Sequence, residues 1–159
     1  MAEWAAKFGR EFSCRIRRGS AGGFADKWHF DEVVISIKGK KHWLWRAVDA
    51  DGYGHEQIVQ SRRNKQAALR LLHKLLKGQS KTPRVVITDK LGSYAAAKRD
   101  IMPGVEHRSH KGLNNRAENS HLPIRRREGN MRRSKSARQC QRFVSSHGQI
   151  YNLFHVPRN

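Results

Sequence analysis

Cysteine is scarce: Cys14 and Cys140 are the only two in 159 residues. A pair so far apart in sequence makes no disulfide framework and no CxxC zinc pattern, so a reducing cytoplasm is the expected compartment. No apolar run is long enough to span a bilayer, and no basic amphipathic helix stands out. The N-terminal MAEWAAKFGR lacks the apolar centre of a signal peptide, so no membrane partner is expected. There is no internal repeat. Acid is scarce as well: 13 Asp and Glu stand against 33 Lys and Arg, for a formal net charge of +20. That excess goes far beyond what solubility requires. It points to a polyanion, most simply nucleic acid held through its phosphates. The length suits one domain with a real core.

What is present changes texture along the chain. Residues 1–25 read as a short helix, WAAKFGREF, followed by a basic, Gly-rich linker, CRIRRGSAGGF. WHFDEVVISI predicts a strand with Asp31, Val33, Ile35 and Ile37 on one face and Val34 on the other. KGKK makes a turn, HWLWRAVDA a second strand closed by Asp51-Gly52, and HEQIVQS a weaker third. RRNKQAALRLLHKLLKG switches to a helical period, with Ala67, Ala68, Leu71, Leu72, Leu75 and Leu76 in one stripe and Gly78 as its stop. RVVITD is a short apolar run that suits a strand buried on both faces. SYAAAKRDIM predicts a helix and VEHRSH a short strand. A helix is expected to begin near Asn114 or Asn115, kinked or shortened by Pro123. ARQCQRFVSSHGQIYNLF predicts the last helix. Three hairpin-linked strands followed by alternating helices and strands give an α/β fold. Its mixed sheet is flanked by helices, in the element order of the ribonuclease H-like fold. The expected division is residues 1–25 as helix and basic linker, 26–128 as the ribonuclease H-like core, and 129–159 as a basic C-terminal helical tail.

Few acids are placed near so much positive charge, and those few are candidates for holding metal. Phosphodiester chemistry needs charge neutralisation and an activated oxygen nucleophile. Two Mg²⁺ ions about 3.5–4 Å apart supply both, and Mg²⁺ takes hard oxygen ligands from two or three carboxylates. Asp31 in the first strand, Asp89 at the end of the buried strand and Glu118 on the following helix are the candidates. Ordinary structural roles stand beside this reading. Asp31 with Glu32 fits strand-edge charge, and Asp89 in ITDKLGS fits a turn or cap. Glu118 fits the N3 position of a capping box begun by Asn115, or an ion pair with Arg125 or Arg126. Asp49, Asp51 and Glu56 surround a hairpin turn, where a structural role is the stronger reading.

His107, His110 and His121 show no HxxxH or HExxH spacing and no paired cysteine. They fit DNA-facing or hydrogen-bonded surface groups better than zinc ligands. Trp28, Trp43 and Trp45 fit packing on the sheet better than base stacking. The run Arg125, Arg126, Arg127, with Arg132, Arg133, Lys135, Arg138 and Arg142, contains one acid, Glu128. Phosphate contact is the preferred reading over a solvated tail. Lys90, Lys111 and Arg116 join it as candidate DNA contacts.

Four co-linear stretches carry a family resemblance: KWHFDEVVISIKGKKHWLWRAVDADG, AALRLLHKLL, PRVVITDKLGSY and VEHRSHKGLNNRAENSHLPIRRRE. With them, from about WAAKFGREF to the end, the chain resembles insertion-sequence transposases of the IS-six group, the group that includes IS-twenty-six. The resemblance implies a ribonuclease H-like core with an Asp, Asp, Glu triad, which falls on Asp31 in WHFDE, Asp89 in ITDK and Glu118 in NNRAE. It implies Mg²⁺, two ions with Mn²⁺ as a substitute, and DNA as partner at both transposon ends and target. It also implies a homo-oligomer when active. The implied reaction is DNA cleavage followed by strand transfer, with no covalent enzyme intermediate and no role for a nucleophile such as Tyr94. Family members carry a helix-turn-helix region upstream of WAAKFG, so a truncated copy is the expectation. The alternatives are a non-catalytic DNA-binding remnant and a basic RNA-binding protein of ribosomal type. The last predicts no clustering of Asp31, Asp89 and Glu118.

Overall fold

The computed structural model describes residues 7–9, 11–15, 26–79, 81–89, 91–110, 112 and 122–154. Glu118, Lys90, Lys111, Arg116 and His121 lie outside the described residues, as does the expected start of a helix near Asn114. Residues 7–9 and 11–15 are helical. Five strands follow: β1 (Lys27–Ile37), β2 (Lys40–Asp49), β3 (Gly54–Gln60), β4 (Val85–Thr88) and β5 (Glu106–Ser109). The helices are α1 (Lys65–Gly78), α2 (Gly92–Ile101), α3 (Leu122–Arg125), α4 (Glu128–Arg132) and α5 (Ala137–Phe154). The sheet order is β3-β2-β1-β4-β5. β1, β2 and β3 pair antiparallel, while β4 runs parallel to β1 and β5 parallel to β4. This is the expected ribonuclease H-like order, with strands one and four adjacent.

Local chemistry sets the turns. The β1–β2 connection places Lys38 at φ 51° and Gly39 at φ 73°. Two consecutive left-handed residues match the twist of the flanking strands, and glycine takes the second at no steric cost. At the β2–β3 turn, the Asp49 carboxylate accepts from the backbone N–H of Asp51 at 2.9 Å and of Tyr53 at 3.0 Å, and meets His55 Nε2 at 2.9 Å. Glu56 pairs with Lys74 at 2.7 Å. The structural roles expected for Asp49 and Glu56 are therefore what the fold uses. Asn64 caps α1 by accepting from Ala67 N at 3.0 Å.

The two faces of the sheet carry separate cores. On one face Trp28, Phe30, Trp45 and Ala47 pack against Ala67, Ala68, Leu71, Leu72 and Leu75 of α1 and Tyr94 and Ala97 of α2. The aromatics interlock, with Trp45 edge-on to Tyr94 at 5.3 Å and Phe30 stacked on it at 5.7 Å between centroids. Trp28 and Trp45 are thus core residues, as expected; Trp43 is half-buried at the rim. On the other face Ile35, Ile37 and Leu44 meet Met131, Cys140 and Val144, so α4 and α5 close a third layer. α5 crosses β3 closely at Gly148, where an added Cβ would come 1.9 Å from Gln57 Nε2. β4 is buried throughout, as its apolar run predicts.

Two outcomes test this packing. Met131→Ala removes a fully buried side chain from the second core and is expected to cost about 2–4 kcal/mol in urea unfolding. Asp49 has its carboxyl below the ordinary 3.8: burial alone would raise it, but the His55 bond and charge and the two backbone N–H groups outweigh burial. A depressed folded value contributes stability that is present above about pH 3.8 and lost as pH falls through the lower folded value. Asp49→Ala should therefore cost about 1–3 kcal/mol near neutrality. That difference should shrink in unfolding titrations carried to acid pH.

Candidate metal centre

The parallel pairing of β1 and β4 decides where two acids meet. Its register sets Lys27 against Val85 and Phe30 against Thr88. Asp31 and Asp89 are the next residues along the two strands, and neighbouring strands lie about 4.8 Å apart. β4 ends there and β1 continues, so both carboxylates lie at the C-terminal end of β4. Asp31, Glu32 and Asp89 each offer an oxygen, and these oxygens lie within 4.8 Å of one another.

Asp89 is fixed from several sides. Its Oδ1 accepts from Leu91 N–H at 2.9 Å, the turn role that sequence alone allowed. Its backbone carbonyl accepts from Thr88 Oγ1 at 2.7 Å and from Ser109 Oγ at 2.9 Å. The single Thr88 hydroxyl proton is used on that carbonyl, so Thr88 accepts from His107 Nε2 at 2.9 Å. His107 is half-buried, and burial, aided by the Lys98 charge, lowers its pKa. It is thus a hydrogen-bonded support for β4, while His110 is exposed and accepts from Gly112 N at 3.1 Å.

Glu32 and Arg63 complete the surroundings. The Glu32 side chain is 0% exposed. Its Oε1 accepts from Arg63 Nε at 2.7 Å and from Arg63 Nη2. Burial raises its pKa to about 7; Arg63 pulls it down and the Asp89 charge pushes it up. The Tyr94 hydroxyl, itself buried, is held well above its ordinary value by burial and by the Glu32 charge. Arg63 Nη2 also reaches Asp89 Oδ2 at 3.7 Å, and its guanidinium lies 5.0 Å from the Trp43 ring centroid. In the sequence, strand-edge charge is one reading of Asp31 beside Glu32, and Arg63 stands out in no way. Nothing in periodicity or spacing marks either, because their meeting depends on the β3–α1 connection folding back over β1.

The donor set is hard oxygen at short mutual separation, which fits Mg²⁺ or Mn²⁺ and not a soft thiolate-preferring ion. Arg125, Arg126, Arg127, Arg132, Arg133 and Lys135 are exposed on and around α3 and α4, with Arg132 paired to Glu128 at 3.0 Å. Among the described residues, no helix is long and apolar enough to cross a membrane.

Known proteins resemble this chain in sequence and in fold. A family model described as a DDE domain matches residues 25–156. The chain is 32% identical over 133 residues to "Transposase for insertion sequence-like element IS431mec" of Staphylococcus aureus, covering 80% of this chain and 58% of that protein. The same figures hold for "Transposase for insertion sequence element IS257 in transposon Tn4003" of Staphylococcus aureus. The chain thus spans about three fifths of the length of these curated relatives, 58%. Among solved structures it is similar to the HTLV-2 integrase catalytic core domain in complex with magnesium, at TM-score 0.53 and 14% identity, covering 83% of this chain and 88% of that one. It is also similar to a chain of the simian T-cell lymphotropic virus intasome, at TM-score 0.57 and 15% identity, covering 79% and 48%. These likenesses show the fold.

The crowding of like charges has a measurable consequence. Asp89→Asn keeps volume and the acceptor for Leu91 N–H while removing one of three neighbouring carboxyl charges. In metal-free buffer its stability is expected to be unchanged or higher by up to about 1 kcal/mol in thermal unfolding, despite the loss of the partly exposed Arg63 contact. A marked fall in Tm would show that the carboxylate is held by attraction that exceeds the repulsion.

Proposed function

This chain belongs to the DDE-domain family of insertion-sequence transposases, and we propose that it carries the metal-holding core for DNA cleavage and strand transfer. The observation that supports this reading is the convergence of Asp31 and Asp89 at the open end of β4, with carboxylate oxygens within 4.8 Å. Asp31 and Asp89 would share the divalent cations, two Mg²⁺ with Mn²⁺ as substitute, and Glu118 would complete one ion's set. Such ions, when bound, supply charge neutralisation at the scissile phosphate and an activated oxygen for in-line displacement. The Asx turn at Asp89 and the hydroxyls of Thr88 and Ser109 hold one ligand in place before DNA arrives. Arg125, Arg126, Arg127, Arg132, Arg133 and Lys135, with Lys90, Lys111 and Arg116, hold phosphates on either side of the break.

The reaction has two displacements at phosphorus. Water cuts at the transposon end and leaves a 3′-hydroxyl. That hydroxyl then attacks target DNA, exchanging one phosphodiester for another without external energy. Tyr94 is 1% exposed in the core, which supports a route with no protein–DNA linkage through it. DNA at the transposon ends and target is the partner, and a homo-oligomer is the acting form.

Cleavage of plasmid DNA in Mg²⁺ or Mn²⁺ tests the reading. The chain is expected to nick with weak sequence preference, and Asp89→Asn should abolish nicking while DNA affinity stays within about twofold. Binding without any cutting in either metal would leave a non-catalytic DNA-binding segment as the function. Replacing Arg125, Arg126 and Arg127 together by alanine should flatten the log–log salt dependence of DNA binding by up to about 2–3 units, at about 0.9 per phosphate contact. An unchanged slope would show that these arginines do not touch DNA.

A further inference from the structure

Arg63 has an unequal set of partners. Towards the interior, its Nε and Nη2 both donate to Oε1 of Glu32, whose side chain is fully buried. Towards solvent, Nη2 stands 3.7 Å from Asp89 Oδ2, and the Arg63 side chain is 39% exposed. The Trp43 ring, 5.0 Å away, supports the guanidinium from the side. A buried, doubly donated ion pair is a firm anchor, whereas a longer contact at a wet rim is weak. Arg63 is therefore fixed at Glu32 and loosely held at Asp89. Asp89 Oδ1 accepts from Leu91 N–H, and Arg63 approaches the other oxygen, Oδ2.

We propose that Arg63 is the resident counter-ion of this carboxylate site, a positioning residue that neutralises Asp89 without metal and yields to an entering divalent cation. The proposal rests on the reading that Asp31 and Asp89 hold that cation. Glu32 then acts on the site through Arg63. Its Oε1 is occupied by Arg63, and its charge keeps the guanidinium from closing fully onto Asp89. Opposite effects follow for the two halves of one ion pair. Removing the guanidinium removes a competitor and tightens metal binding. Removing the Glu32 charge releases the guanidinium towards Asp89 and weakens it. An ion pair that served only to hold β1 against the start of α1 would, on losing either partner, loosen the site and weaken binding in both cases.

The test is Mn²⁺ binding to the full chain by electron paramagnetic resonance, at low ionic strength and about pH 8, above the ordinary range of carboxylates. Wild type is expected to bind, and Asp89→Asn to bind at least about tenfold more weakly. Arg63→Gln should bind about threefold to tenfold more tightly, Glu32→Gln weaker by a similar factor, and Arg63→Lys within about twofold of wild type. If wild type and Asp89→Asn bind alike, the metal reading falls and this proposal with it. If Asp89→Asn loses the ion but Arg63→Gln and Glu32→Gln shift the same way, the metal reading stands and the counter-ion proposal is overturned. Circular dichroism checks that each variant is folded. Should Arg63→Gln fail to fold, Arg63→Met takes its place in the same comparison: binding no tighter than wild type overturns the proposal.

Discussion

The parallel pairing of β1 with β4 is the contact on which the rest of the site depends. Two carboxylates repel, and a chain with so few acids has no electrostatic reason to bring Asp31 and Asp89 together. Backbone hydrogen bonds do it instead. With Phe30 set against Thr88, the next residues on the two strands stand side by side whatever their charge. The apolar core beneath fixes that register. A slip of one residue along β4 would turn Val86 away from Trp28 and Phe30 and towards the opposite layer.

Repulsion forced into one place is then managed by the neighbours. Leu91 N–H takes one Asp89 oxygen, Arg63 stands near the other, and the buried Glu32 anchors Arg63. Burial raises Glu32 to about 7, and its pairing with Arg63 opposes that rise. Below this, Thr88, Ser109 and His107 tie the end of β4 to β5 through side-chain bonds. The outcome is a small acidic centre in a protein of net charge +20.

The second layer of helices covers the sheet face opposite α1. α5 is amphipathic, and Cys140 and Val144 on its inner side fill the face opposite α1. The exposed Arg132 of α4 is therefore displayed by an element that is packed on the sheet at Met131. That separates the two jobs of the surface: apolar contacts set its position, and the arginines set its charge.

Much was legible from sequence. Alternation in WHFDEVVISI, the helical stripe of AALRLLHKLL and the doubly apolar RVVIT each report burial directly, because side-chain periodicity is a local property. Asp49 as a turn acceptor and Trp28 and Trp45 as core residues follow from the same local rules. The net charge spoke for a polyanion because charge needs no fold to be counted. What sequence alone did not determine is which residues meet across distance. Asp31 and Asp89 were candidates by strand order, but their convergence came from the β1–β4 register. Glu32 and Arg63 carried no local signal at all: Glu32 faces inward as the even partner of Asp31, and Arg63 reaches it from the turn before α1. Only the tertiary structure joins a buried carboxylate, a guanidinium and an aspartate from three segments. Electrostatic partners are chosen by through-space distance, and not by spacing along the chain.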